Sequence, residues 1–250
     1  YSIKNFVKLI ILFILIFTIS GISSSALAKK KKKKKKNKVK FASIVPLGTP
    51  WADSGVSIKK RLKKNSKKIL KTKQYFVGIL VDEITMIKRL LKGKLQLYGG
   101  SSGAVATFAP ILEVLELPFL FKNFSEVDKV IETVASEDIK KGLYEKGIVL
   151  LYMGENGWRN FASSKKHIKT PADLKGMKMR SQESKIYIET WKAFGASPMP
   201  IGVPEVLGAL QTHVVDGFDQ TLLFSFATSW YQGIKFYSIS KHIYQPGIYI

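Results

Sequence analysis

From residue 38 to 250 the chain alternates short apolar runs with longer segments of helical spacing. "VKFASIV" (39–45) is a β-rich run. "PWADSGVSIKKRLKKNSKKIL" (50–70) opens on a proline and repeats its apolar residues Val56, Ile58, Leu62 and Ile69 at helical spacing. "QYFVGIL" (74–80) predicts a second strand, "DEITMIKRLLKG" a helix with an acidic first turn and a glycine stop, and "LQLYGG" a third strand. A helical tendency over Ala104–Leu112 leads into "VLELPFLF" (114–121), which reads as a buried extended segment. "SEVDKVIETVAS" and "EDIKKGLYEKG" predict two helices, and "IVLLYM" (148–153) a strand.

The second half repeats this logic. "FASSKK" is strand then turn, "TPADLKG" a short helical connection, and "MKMR" (177–180) a strand. "SKIYIETWKAFG" is a helix with Ser184 as its N-cap and Gly195 as its stop. "SPMPIG" is extended, "VPEVLGALQT" a helix with Pro204 in its first turn, and "HVVDGFD" a strand. Strands alternating with helices predict an α/β fold with a largely parallel sheet. Two such units are expected, 38–157 and 158–245, changing over near Gly154–Arg159. The final "HIYQPGIYI" is strand-like and apolar, with no closing helix. Residues 246–250 are therefore expected to begin a return to the first unit, in a fold that continues past Ile250.

Charge changes the picture mainly at the start of the chain. The formal net charge is +23, but 12 of the 41 basic residues lie within residues 1–40, where there is no acid. Residues 1–28 read as a cleavable export signal: Lys4 and Lys8, then the apolar "LIILFILIF", then the small-residue site "ALA". The apolar run is short for a membrane span. The eight lysines Lys29–Lys36, with Asn37, form a low-complexity solvated linker. There is no cysteine, so an exported protein of this sequence folds on its core alone.

Candidate chemistry is sparse. His167, His213 and His242 lack metal-ligand spacing, there is no thiol nucleophile and no G-x-S-x-G elbow, and no catalytic constellation is visible. No metal and no cofactor are expected. Arg180 stands where the strand "MKMR" gives way to a helix. A strand's carboxyl end, a helix N-terminus and a guanidinium fork together suit an anion. A surface pair with Glu183 or Glu189 is the alternative. Arg159, in "ENGWRN", is the second candidate, with an ion pair to Glu155 as its alternative. "YGGSSGA", with Ser101 and Ser102, is either a backbone anion cradle or a plain turn. The aromatic-rich "FDQTLLFSFATSWYQGIKFY" is mostly core, with room for one or two residues at a cleft.

Two stretches, "TPADLKGMKMRSQESKIYIETWKAFGASPMPIGVPEVLGALQTHVVDGFDQ" and "DEITMIKRLLKGKLQLYGGSSGAVATFAPILEVLELPFLF", closely resemble the DctP-type solute-binding proteins of TRAP transporters. The resemblance covers about Val39 to Ile250. It implies a two-domain periplasmic-binding-protein-like α/β fold with a hinged cleft and long C-terminal helices beyond Ile250. It implies a periplasmic protein, not an enzyme, that captures an organic acid and hands it to TRAP membrane permease subunits, with no nucleic-acid partner. At the family's arginine position stands Arg180, the expected carboxylate anchor, with Arg159 assisting. The family commonly has "DGQEN"; here "DGFDQ" puts Gln220 in place of the asparagine, a departure from the pattern that goes with a small dicarboxylate or sugar acid, and "DGFDQTLLFSFATSWYQ" resembles a subgroup for which a more apolar cavity is expected. The expected binding set is Arg180, Arg159, Gln220, Trp51, Ser101, Ser102, Gln182 and Val203. The competing function is a sensor that presents its ligand to a membrane receptor without transport.

Overall fold

The computed structural model describes residues 37–76, 82–134 and 136–250. The export signal, the run Lys29–Lys36 and the second half of "QYFVGIL" lie outside the described residues.

One eight-stranded sheet runs through the molecule in the order β2-β1-β3-β8-β4-β7-β5-β6. Its strands are β1 (Asn37–Ser43), β2 (Leu70–Tyr75), β3 (Leu97–Ser101), β4 (Tyr152–Ser163), β5 (Lys178–Ser181), β6 (Ser197–Pro200), β7 (Gly217–Gln220) and β8 (Phe236–Tyr249). Pairing is parallel within β2-β1-β3 and within β7-β5-β6, as the strand–helix alternation predicts. The centre corrects the expectation of a largely parallel sheet. The long strands β4 and β8 pair antiparallel with each other, β8 is antiparallel to β3, and β4 to β7. The β4–β8 ladder shifts register between Glu155 and Gly157 and again between Arg159 and Phe161. Gly157 sits at φ +110°, where a side chain would be strained. Gly217 is required for another reason: a Cβ there would meet the Ala162 carbonyl across the ladder.

Eight α-helices are described: α1 (Pro50–Asn65), α2 (Glu83–Leu91), α3 (Ser102–Ala106), α4 (Phe124–Lys129), α5 (Ser136–Glu145), α6 (Lys185–Ala193), α7 (Val206–Gln211) and α8 (Leu222–Ala227). Helix α1 starts on the Thr49 hydroxyl, which accepts from Ala52 N at 3.3 Å. Asp82 caps α2 by accepting from Thr85 N at 2.8 Å. Gly195, at φ +76°, stops α6 as expected. Ser184 holds the cap position of α6, but its hydroxyl makes no cap bond.

Several boundaries differ from the sequence expectation. Helix α1 ends at Asn65, not Leu70, because Leu70–Tyr75 is captured as a strand beside β1 and Ile69 is exposed. "VLELPFLF" is not buried and extended. A 3-10 helix over Pro110–Glu116 turns Leu112 and Leu115 inward, while Val114, Leu117, Phe119 and Leu120 face solvent. "IVLLYM" is strand only from Tyr152. From there β4 continues unbroken through "GENGWRN", so Arg159 lies within a strand and does not follow one. "HVVDGFD" is strand only from Gly217, after a turn with His213 at φ +57°.

Residues from both halves of the chain share core. Ile44, Val45 and Ala52 pack with Val206, Leu210, Val215, Phe218 and Trp230. A larger cluster joins Ile87, Val105, Leu112, Ile139 and Leu143 to Ile248 on β8, and a third holds Phe161, Met179 and Trp191. No helix among the described residues is long and apolar enough to cross a membrane.

Candidate ligand-binding site

The middle of the sheet places three polar side chains side by side. Register sets Asn160 opposite Gln220, Phe161 opposite Asp219, and Gly157 opposite Gln245. Arg159 is fully buried among them. Its Nε donates to Asp219 Oδ2 at 2.6 Å, Nη2 to the Asp219 carbonyl at 2.5 Å, and Nη1 to Gln245 Oε1 at 2.8 Å and Gln220 Oε1 at 3.3 Å. The guanidinium also lies over the Tyr187 ring, 4.6 Å from its centre. Four of its five N–H groups are thus engaged by the protein. Burial opposes the charge, but the Asp219 carboxylate outweighs it and raises the Arg159 pKa. Burial works against the Asp219 charge as well, and Arg159 beside it holds that carboxyl well below the usual range. The expected partner Glu155 does not pair with Arg159; Asp219 does.

Arg180 is equally buried and differently furnished. Its Nε donates to the Ile201 carbonyl at 2.9 Å, and its guanidinium lies 5.2 Å from the Trp230 ring centre. Nη1 has no hydrogen-bond partner among the described residues, and neither Glu183 nor Glu189 forms an ion pair with it there. Burial pulls its pKa down to about 10, partly countered by Glu183, while the Arg159 charge adds to the drop. One buried guanidinium is therefore neutralised by a carboxylate and the other is not.

Beside these groups lies a cavity with about 40 Å³ open to the centres of water molecules, room for roughly three waters. Trp51, Ser101, Gln182, Val203 and Gln220 line it. Arg159 stands behind this wall, bonded to Gln220 and Gln245. Ser102 also lies behind it, with its hydroxyl on the Pro246 carbonyl at 2.8 Å and against Glu116. Arg180 is not on the wall; Gln182, two residues on, is. Both Gln220 bonds, from Thr221 N and from Arg159, use its amide oxygen, which leaves its NH2 unengaged among the described residues.

Sequence reasoning missed Glu83, Asn156, Phe224 and Gln245 on the wall, and Asp219 behind it. Glu83 is the first residue of α2. Its carboxyl accepts from Tyr98 Oη at 2.5 Å, Ser101 N at 2.9 Å and Ser101 Oγ at 3.0 Å. Burial raises its pKa, and these bonds partly offset the rise. The Gln245 amide nitrogen meets Glu116 Oε2 at 3.0 Å, and Gln182 Oε1 and Tyr187 Oη each at 2.8 Å. The usable sequence signals were the acidic first turn of α2 and, for Phe224, the aromatic-rich stretch with room for a residue at a cleft. The rest become neighbours only through pairings dozens of residues apart. No group of three metal-ligating side chains occurs among the described residues.

Trp51 spans the cavity. Its Nε1 donates to the Glu155 carbonyl at 2.8 Å, and its ring lies 6.2 Å from that of Phe224. Trp191 is buried in the third core cluster, and Trp158 packs on Phe124 and Tyr244. Ligand binding should therefore change tryptophan fluorescence through Trp51 and, where the ligand reaches Arg180, through Trp230 beside it; Trp51→Phe/Trp230→Phe should abolish most of the change while Trp191→Phe leaves it. An unchanged signal in Trp51→Phe/Trp230→Phe would show that the ligand sits neither in the cavity nor at Arg180.

The model of the bacterial extracellular solute-binding protein family 7, DctP, matches residues 41–250. The chain belongs to this family. Among DctP relatives, the 2,3-diketo-L-gulonate-binding periplasmic protein of Escherichia coli is 32% identical over 185 residues, covering 74% of this chain and 56% of the relative. A C4-dicarboxylate-binding periplasmic protein of Vibrio cholerae is 32% identical over 142 residues, covering 57% of this chain and 42% of the relative. The chain thus spans about half the length of these curated relatives. A TRAP periplasmic solute-binding protein from Roseobacter denitrificans, solved with β-D-glucuronate, superposes with a TM-score of 0.83 at 28% identity, over 86% of this chain and 71% of that one. Another, from Polaromonas, solved with D-erythronate, gives 0.81 at 27% identity, over 85% and 70%. The family is one of extracellular solute-binding proteins, and these named relatives are periplasmic binding proteins.

Proposed function

We propose that this chain belongs to a periplasmic binding protein that captures an organic acid and delivers it to TRAP membrane permease subunits. One observation carries the reading: Arg180 is buried, charged and, among the described residues, without a carboxylate in ion-pair contact, while its neighbour Arg159 is neutralised by Asp219. An unpaired charge in that setting is costly. A ligand carboxylate that enters the cavity and reaches the Nη1 side would supply the missing acceptors. The relatives solved with glucuronate and erythronate support an acid of this kind.

In this reading Arg180 is the anchor. Arg159 holds Gln220 and Gln245 in place, and Ser101, Gln182 and Gln220 meet the ligand's polar groups, with Trp51 and Val203 as apolar wall. Ser102 braces that wall through Pro246. The cavity is too small for a sugar acid as it stands, so the units 38–157 and 158–245 move apart to admit ligand. The register shifts at Glu155–Gly157 and Arg159–Phe161, together with Gln245–Gly247 opposite, are where they bend. Residues 1–28 act as the export signal and 29–37 as the linker.

Native mass spectrometry of the exported protein should find a small carboxylate co-purified at one per chain. The same acid, added back after removal, should raise the melting temperature. A protein that carries no acid and is not stabilised by millimolar succinate, glucuronate or erythronate would rule the reading out.

A further inference from the structure

Between residues 37 and 76 eleven lysines and arginines stand against a single acid, Asp53, whereas residues 82–250 carry twenty against seventeen. All eleven are exposed. They gather on one part of the fold: the second half of α1, the turn after it, and the adjoining β1 and edge strand β2. On α1, Lys59 and Lys63 share a face, as do Lys60 and Lys64. Across the ladder, Lys38 lies opposite Lys71, and Lys40 opposite Lys73. Lys59, Lys63, Lys68 and Lys71 line one shallow depression of about 380 Å³. Among the described residues none of the eleven has a carboxylate within ion-pair distance.

Local explanations cover only part of this. Lys63 and Lys64 complement the C-terminal end of α1, and Lys71 and Lys73 discourage edge-to-edge pairing of β2. The like-charged pairs one helical turn apart and across the ladder oppose folding. They are what a surface selected for a polyanion would retain.

We infer that this face docks on the anionic phospholipid surface of the membrane. The cations are spread along a helix and a sheet edge, and only one uncharged polar side chain, Thr72, with its Oγ1 buried and unpartnered among the described residues, lines the depression beside them. That suits a diffuse, planar negative surface and not one enclosed phosphate. The exposed Ile69, set between Lys68 and Lys71, adds an apolar contact at the same level. Each cation near such a surface contributes roughly fivefold to partitioning. Trp51, at the other end of α1, lines the ligand cavity. Eight residues of the helix, about 12 Å at its rise per residue, separate Trp51 from Lys59, the nearest helical cation of the docking face.

The test is flotation of the full chain with phosphatidylcholine vesicles, with and without phosphatidylglycerol. It is run at ionic strengths of roughly 0.01 and 1 M, where the Debye length falls from ~30 to ~3 Å. Binding should require phosphatidylglycerol and disappear at high salt. The variant Lys59→Gln/Lys63→Gln/Lys68→Gln/Lys71→Gln should bind at least tenfold more weakly with an unchanged melting temperature. At an ionic strength of roughly 0.1 M, where the Debye length is ~10 Å, a control with the same charge change outside this face, Lys141→Gln/Lys146→Gln/Lys175→Gln/Lys185→Gln, should lose less than about twofold, because attraction to the lipid surface decays within a Debye length. Equal losses in the two variants would overturn the inference. So would vesicle binding that is lost only when Lys29–Lys36 are replaced by serine, or binding to polyglutamate but not to vesicles, which would point to an acidic protein partner.

Discussion

Replacing Arg180 with alanine should weaken binding of the co-purified acid by roughly thirtyfold or more. Truncating one partner of a desolvated, hydrogen-bonded charge pair costs ~2–5 kcal/mol, and each 1.4 kcal/mol is tenfold in affinity. Stability of the ligand-free protein should suffer less. Arg180 is a buried cation whose Nη1 has no partner among the described residues, and its charge is disfavoured by burial and by Arg159. Removing it relieves that cost, offset by the lost contacts to Ile201 and Trp230 and by the cavity left by a fully buried side chain, so the empty protein should lose less stability than a buried large-to-small change of this size ordinarily costs. Arg180→Lys keeps the charge but loses the planar fork, and should bind clearly less well than wild type. Titration calorimetry and thermal unfolding of both variants separate the possibilities. If Arg180→Ala binds within about threefold of wild type, a change of only ~0.7 kcal/mol, the carboxylate is held elsewhere. If it loses affinity together with the full stability such a change ordinarily costs, Arg180 is a structural cation.

Strands such as "MKMR" and "SPMPIG" were legible from period and length, whereas the edge strand β2 was placed too late, at 74–80 instead of Leu70–Tyr75. The centre was not. "ENGWRN" reads as a loop because it is polar, yet in β4 Arg159 and Asn160 are buried and bonded to residues far along the chain. A buried polar strand is disguised as a connection until its partners are known. The same blindness hid Asp219, Gln245 and Glu83, each satisfied by a group no local pattern pairs with it. Arg180 was conspicuous because its position, at a strand's end before a helix, is a local feature. Lys67 and Lys68 ended α1 early with positive φ angles, where the sequence offered no glycine to mark the stop.

Asp219→Asn should destabilise the protein by about 3–5 kcal/mol at neutral pH, a large share of the ~5–15 kcal/mol a domain possesses. The amide keeps the shape of the carboxylate, so no cavity is created; what is lost is the one carboxylate in ion-pair contact with Arg159 among the described residues, which leaves Glu116 as a weaker compensating influence. The remaining acceptors, Gln220 and Gln245, carry no charge. The pH dependence follows from two groups in contact. His242 is buried on the Phe161 ring, with Asp219 3.4 Å from Nε2 and Ser240 Oγ 2.8 Å from Nδ1; Arg159 is the nearby cation. Burial lowers its pKa, opposed by Asp219, so the unfolded chain takes up the proton first and stability falls as pH drops below about 6.5. Asp219 has a depressed pKa in the folded state. Its contribution is complete above about pH 4, where the unfolded carboxyl ionises, and is lost as pH falls from there toward the folded value. Wild type should thus show two successive losses on acidification. Asp219→Asn should start lower and lack the second, and urea unfolding across pH 3–8 measures both. A variant within about 1 kcal/mol of wild type at pH 7 would mean that Gln245, Gln220 and the Tyr187 ring hold the Arg159 charge without a carboxylate, and that the acid limb arises from other groups.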